Sequence, residues 1–146
     1  MLNYFIKSPE TPAEWDNYFL FRWEMLRKPL GMSKDSLQDD QEESGFHLIA
    51  LDDHEKVVGS GRVHFNSNVE AQIRYMAVSE DLKRRGIGSE IVKKLEEHAG
   101  KSGAKTVILN AREDAINFYL SLDYLEGGPY TSDTGIPHTT MKKILS

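Results

Sequence analysis

Between Gln72 and Ala99 a strand-like run, Ile73-Arg74-Tyr75-Met76-Ala77-Val78, leads through Lys83-Arg84-Arg85-Gly86-Ile87-Gly88-Ser89 into an amphipathic helix, and a second β-branched run, Thr106-Val107-Ile108-Leu109, follows it. Strand, helix and strand in this succession predict a parallel pair joined by a right-handed crossover. The turn before the helix has chemistry of its own. Gly86 and Gly88 remove side chains that would keep a ligand from the backbone, and a helix start presents unpaired N–H groups and the positive end of its dipole. Lys83, Arg84 and Arg85 stand just before it, on a chain whose net charge is −5, and add attraction for an anion. The turn is expected to bind a pyrophosphate or phosphate ester.

Spacing separates the known phosphate-binding turns. A P-loop needs Gly-x-x-x-x-Gly-Lys followed by Ser or Thr, and no such run occurs. A dinucleotide fingerprint needs a third glycine where this chain has Ile91, and an acidic residue about twenty positions on, which is not evident. What remains is Gly-x-Gly preceded three places earlier by a long polar side chain, Lys83. This arrangement resembles the acyl-CoA signature of the GNAT superfamily of N-acyltransferases, whose usual form is Gln or Arg, two variable residues, Gly, one variable residue, then Gly or Ala. Lys83 departs from that form, yet a lysine still meets a phosphate as a point charge.

Asn110-Ala111-Arg112 leads from the second strand into a predicted helix over Glu113 to Leu122, followed by Asp123-Tyr124. Ala115, Phe118, Tyr119 and Tyr124 form a pattern similar to the GNAT segment Ala-x-x-Phe-Tyr-x-x-x-Gly-Phe, with Asp123 where glycine is usual. The resemblance implies an α/β (α+β) fold: a GNAT-like mixed, mostly antiparallel central sheet of six to seven strands with helices on both faces. It also implies acetyl-CoA as cofactor and an acyltransferase that moves the acetyl group directly to a primary amine of a small molecule or peptide. By the same resemblance, backbone groups of Met76, Ala77 and Val78 pair with the pantetheine arm like an added strand. Lys83, Arg84, Arg85, Gly86, Ile87, Gly88 and Ser89 hold the phosphates, and Asn110 and Asn117 hold the cofactor through their amides.

Such a transfer needs a proton taken from the acceptor, a donor for the carbonyl oxygen and a proton for the departing thiolate. Tyr119 is the expected acid, since a phenol with an ordinary pKa of about 10 still carries at pH 7 the proton that a thiolate of pKa about 8.5 can take. The resemblance places this tyrosine beside the sulfur. Its other reading is a core aromatic beside Phe118, which points differently on a helix. The general base stays open among Glu43, Glu70, His138 and a water chain. Glu43, Arg74 and His138 are expected on the acceptor side, and Glu42 or Glu43 offers a carboxylate for a cationic amine. Gly135-Ile136-Pro137-His138 also resembles a C-terminal segment of a subset of GNAT proteins of unassigned substrate. Two rival functions remain: a non-catalytic acyl-CoA-binding or sensing domain, against which Tyr119 argues, and a phosphate-ligand module unrelated to CoA.

At 146 residues, 39% hydrophobic and 28% charged, the chain suits one soluble domain over residues 1–146. No run approaches a membrane span, and the residues from Met1 to Ile6 lack the basic and apolar regions of a signal peptide. A cytoplasmic protein with no membrane partner is therefore expected. The absence of cysteine excludes disulfides, thiolate metal sites and a cysteine acyl-enzyme. The acidic balance argues against nucleic acid as a partner. His47, His64 and His138 have no close ligand spacing, so no metal centre is expected. A homodimer is admitted beside a monomer.

Toward the N-terminus, Leu2 to Ile6 predicts a first strand. Thr11-Pro12-Ala13-Glu14 predicts a helix start, with a threonine cap, proline at the first position and glutamate closing a capping box. That helix is expected to end near Pro29-Leu30-Gly31 and to bury an aromatic stripe of Trp15, Phe19 and Trp23 with Leu26. Ser33 to Ser44 reads as a polar, acidic loop. Phe46 to Leu51 and Lys56 to Phe65 read as antiparallel strands, and Tyr124 to Leu145 as a closing hairpin. On the helix after the turn, Ile91, Val92, Leu95 and Ala99 share the face that packs on the sheet.

Overall fold

The computed structural model describes residues 3–132 and 134–145. Seven strands form one sheet in the order β1-β2-β3-β4-β5-β7-β6: β1 (Tyr4–Lys7), β2 (Phe46–Asp52), β3 (Val57–Phe65), β4 (Glu70–Val78), β5 (Thr106–Arg112), β6 (Leu125–Thr131) and β7 (Pro137–Ile144). Neighbours are antiparallel except for β4 and β5, the parallel pair joined through α2 (Ile87–Lys101). The mixed, mostly antiparallel sheet is the expected one. The expected strand start at Leu2 lies outside the described residues.

Helices cover both faces. Ile87, Ile91, Val92, Leu95 and Ala99 of α2 are buried in the main core with Ile73, Val107, Leu109 and Met141, and α3 (Ile116–Leu120) adds Tyr119 to that cluster. On the other face α1 (Pro12–Leu26) packs Tyr18 over Ile49, Leu51 and Val57. The capping box at Thr11 and Glu14 forms as expected. Among the described residues no helix is long and apolar enough to cross a membrane.

Three local expectations need correction. The fully buried positions of α1 are Tyr18 and Arg22, whereas Trp15, Phe19 and Trp23 are half-buried. The helix stops at Leu26, and a 3-10 turn over Lys28–Leu30 takes up the chain around Pro29, whose ring disfavours helical backbone at the residue before it. The helix expected over Glu113 to Leu122 divides into a 3-10 turn, Glu113–Ala115, and the short α3. Arg112 remains extended at φ −65° and ψ 155°, and no side chain caps the start. β5 accordingly runs three residues past Leu109, held by β7 as far as the Arg112–His138 pair.

Candidate active site

β4 and β5 part company. Their register covers only Glu70–Thr106, Ala71–Val107 and Gln72–Ile108, while β4 stays paired with β3 as far as Val78 and β5 stays paired with β7 as far as Arg112. The facing edges beyond Gln72 and Ile108 therefore have no strand partner among the described residues. Unpaired N–H and C=O groups along such edges accept an added extended segment.

A bulge prepares this opening. Ser60 pairs with Ala77 and Arg62 with Arg74, so Tyr75 and Met76 together face Gly61. Tyr75 takes the left-handed conformation at φ 59°, an unusual one for a bulky residue. The extra residue puts Arg74 and Tyr75 on the α1 face in succession, and Met76 returns to the α2 face. There its sulfur fills the space beside Gly61, where a Cβ would lie 2.5 Å from Met76 Sδ.

The split opens toward the start of α2. Gly86 caps that helix at φ 88° without a side-chain hydrogen bond, and the first helical bond runs from Glu90 N to Gly86 O at 3.0 Å. The amides of Ile87, Gly88 and Ser89 thus have no intrahelical acceptor. A Cβ at Gly86 would meet nothing within 4 Å, but at Gly88 it would lie 3.3 Å from Phe118 Cζ and 3.4 Å from Val78 Cγ2. Gly86 serves backbone conformation and access, and Gly88 lets α3 close onto α2. Lys83 pairs with Glu80 at 2.9 Å; Arg84 and Arg85 are exposed and form no ion pair among the described residues. An extended edge running into uncapped amides flanked by arginines fits a long ligand with amide groups in its arm and a pyrophosphate at its end.

Tyr119 is only 7% exposed, and burial pushes its phenol well above the ordinary tyrosine range. Its ring stands edge-on to Phe118 at 4.9 Å and to Tyr124 at 5.7 Å. The Tyr124 hydroxyl donates to Glu96 Oε2 at 2.8 Å, whereas the Tyr119 hydroxyl makes no hydrogen bond to a described residue. Asn117 is exposed on α3.

The α1 face carries an ionic network that the sequence reading missed. Arg22 and Arg62 are both 0% exposed. Arg22 donates to Glu42 Oε1 at 3.1 Å through both terminal nitrogens and to the Tyr18 hydroxyl at 3.2 Å. Arg62 donates to Asp39 Oδ1 at 2.7 Å, Asp39 Oδ2 at 2.9 Å and Glu42 Oε2 at 2.9 Å, and Arg74 meets Asp39 Oδ2 at 2.7 Å. Burial works against the Asp39 carboxylate, but hydrogen bonds from Arg62 and the Gln41 amide, with the Arg62 and Arg74 charges, hold it well below the usual range. The Tyr75 ring lies among the guanidiniums, with Arg22 Cζ 3.8 Å and Arg74 Cζ 4.7 Å from its centroid. Two arginines in otherwise apolar segments were the only sequence signal of this network.

The remaining predicted residues fall at two ends of the sheet. Asn110 lies on β5 and accepts from the Thr140 hydroxyl at 2.6 Å. His138 stands across from Arg112 at the split end of β5, with its Nδ1 2.7 Å from the Ile136 carbonyl; a carbonyl only accepts, so Nδ1 carries the proton. Glu43 instead lines a cleft of about 430 Å³ with Trp15, Phe19, Phe46 and His47. There His98, from the last turn of α2, stacks on Phe46 at 3.8 Å, so this cleft lies a helix length from the Gly86 turn. Glu70 opens β4 at that same far end and accepts from Asn66.

Comparison with known proteins agrees with this geometry. The acetyltransferase (GNAT) domain family matches residues 27–145. An uncharacterized N-acetyltransferase of Bacillus subtilis, YjcF, is 31% identical over 126 residues, which are 86% of this chain and 89% of YjcF. An acetyltransferase of the GNAT family from Staphylococcus aureus Mu50 shares the fold with a TM-score of 0.81 at 14% identity, over 99% of this chain and 100% of that one. An aminoglycoside 6'-N-acetyltransferase complexed with coenzyme A shares it with a TM-score of 0.77 at 16% identity, over 96% of each chain. With the family match covering most of its length, and with a sheet that splits toward an uncapped glycine turn, the chain belongs to the GNAT acetyltransferases, enzymes that use acetyl-CoA as their acetyl donor.

Proposed function

We propose that this acetyltransferase acts on a primary amine of a small molecule or peptide, and that its chemistry takes place where β4 and β5 separate. The observation that carries this reading is the continuity of the unpaired β4 edge with the free amides at the start of α2. Acetyl-CoA supplies an activated thioester when bound; Met76, Ala77 and Val78 offer backbone groups to the pantetheine arm, and the residues from Lys83 to Ser89 hold the phosphates. Asn117, exposed on α3, adds an amide contact in this reading.

Tyr119 serves as the acid. Burial raises its pKa, so the phenol holds its proton at neutral pH but is the weaker donor for it, and transfer is expected only as negative charge develops on the departing sulfur. The chain has no cysteine to carry an acyl group, which favours direct transfer to the amine. Of the side chains weighed as base, His138 is the one at the split end of β5; with its Nδ1 proton committed to Ile136, Nε2 is the nitrogen open to accept one.

A panel of amines, followed by release of free CoA, tests the reading. Turnover of at least one primary amine, lost on Tyr119→Phe, is expected. Binding of acetyl-CoA without turnover of any amine would leave only a sensing role.

A further inference from the structure

Resting on the reading above, we propose that the acceptor is an amine that also carries a carboxylate, held by Arg112 at the split end of β5. Ile108, Asn110 and Arg112 alternate with the core residues Val107, Leu109 and Ala111, so Arg112 lies on the α1 face, opposite α2. Its Nη2 reaches only the Leu26 carbonyl, at 3.5 Å, the outer limit of a hydrogen bond. It makes no ion pair with a described carboxylate. A half-buried guanidinium with most of its five donors unused is a fork that matches a carboxylate. His138 stands beside it on β7, and Arg74, its side chain 35% exposed, lies on the same face across the split.

The two carboxylates of the network on this face, Asp39 and Glu42, are already committed. Asp39 takes up Arg62, Arg74 and the Gln41 amide, and Glu42 takes up Arg22, Arg62 and the Asp39 amide. Glu43 lies at the far end of the sheet. Glu113 and Asp114 follow Arg112 in the chain, but they are exposed and form no ion pair among the described residues. An amino acid or peptide C-terminus brings an anion for the open Arg112 fork, and a polycationic acceptor brings none. An aminoglycoside carries no such anion, although an aminoglycoside acetyltransferase shares the fold.

The test pairs each acceptor with its uncharged carboxamide: lysine with lysinamide, and a short peptide with its C-terminal amide. The acid should exceed its amide roughly tenfold or more in kcat/KM. Arg112→Gln should bring the acid down to the level of the amide through KM, with acetyl-CoA affinity unchanged, and Arg112→Lys should recover part of the loss. The free amino acid and peptide arms identify the source of the carboxylate. Calorimetric titration of the same pairs into the CoA-saturated protein reads the inference without turnover. Selective, Arg112-dependent binding of the acid in the absence of acetylation would support the carboxylate site while removing the proposed reaction. Equal or tighter binding of the amide would overturn the inference whether or not acetylation occurs.

Discussion

Tyr119 differs from its neighbour Tyr124 in one respect that bears on function: both phenols are buried, but Tyr124 is bonded to Glu96 and Tyr119 is not bonded to any described residue. Tyr119→Phe keeps the ring that packs against Phe118 and removes only the proton. It should leave the acetyl-CoA Kd unchanged and lower kcat by about 10²- to 10⁴-fold, the usual range for a positioned acid. The loss should shrink for an acyl donor whose thiol is more acidic, measured under conditions where chemistry is rate-limiting. Gly86 is the other residue with a single decisive property, its φ of 88°. Gly86→Val places a β-branched side chain in a conformation it resists. Acetyl-CoA at a hundredfold excess over its Kd should stabilise the wild-type fold by about 2.7 kcal/mol. Thermal denaturation should show most of that shift lost in the variant, with the ligand-free fold retained.

At the scale of elements, the start of α2 combines a dipole and free amides with two preceding cations, Arg84 and Arg85, that form no ion pair among the described residues. Dipole and amides act on any phosphate at the helix end; exposed Arg84 and Arg85 act through screened charge. Neutralising both arginines should therefore weaken CoA more than dephospho-CoA in equilibrium titrations, and added salt should narrow the gap. Equal losses would move the arginines away from the 3′-phosphate. The bulge in β4 matters at this scale too. Without its extra residue Tyr75 would fall on the α2 face, and the ring that lies among four guanidiniums would be lost from the α1 face.

Over the whole molecule, buried titratable groups on the α1 face set an acid limit. His47 accepts from Tyr18 at Nδ1 and donates to the Glu42 carbonyl at Nε2; His64 accepts from Arg62 and donates to Asn66. Burial lowers both pKa values below 6.5, so the unfolded chain binds more protons as the pH falls. Their contribution is complete above about pH 6.5 and is lost on acidification below it. Asp39, held below its ordinary 3.8, adds a second loss beginning near pH 4. Urea midpoints from pH 8 to pH 3.5 should fall in these two stages. Glu42 links both buried arginines, so Glu42→Ala should cost about 3 to 5 kcal/mol by leaving their charges undercompensated. Glu43→Ala, on an exposed side chain, should stay within about 0.5 kcal/mol.

Local pattern by itself determined the capping box at Thr11 and the glycine turn, because each depends on neighbours within a few residues in the chain; the crossover followed from the succession of strand, helix and strand, and the Phe118–Tyr119 segment from family resemblance, with a shorter helix than expected. The single, mostly antiparallel sheet and its two helical faces were legible through hydrophobic periodicity combined with family resemblance, whereas the insertion of β7 between β5 and β6 came only from the structure. The α1 face was not. Arg22, Asp39, Glu42 and Arg62 are spread over 40 residues, from 22 to 62, and nothing local says that a helix arginine and a strand arginine will share one glutamate. A charge enters a core only when its partners arrive from elsewhere in the chain, so its burial depends on the assembled fold. Likewise, Arg112 reads as a strand-end cation until β7 holds it extended opposite His138, and the split between β4 and β5 is visible only once β4 is seen paired to β3 and β5 to β7 beyond the end of their shared register. Pairing, register and distant compensation of charge are tertiary facts, and they build the α1 face of this enzyme.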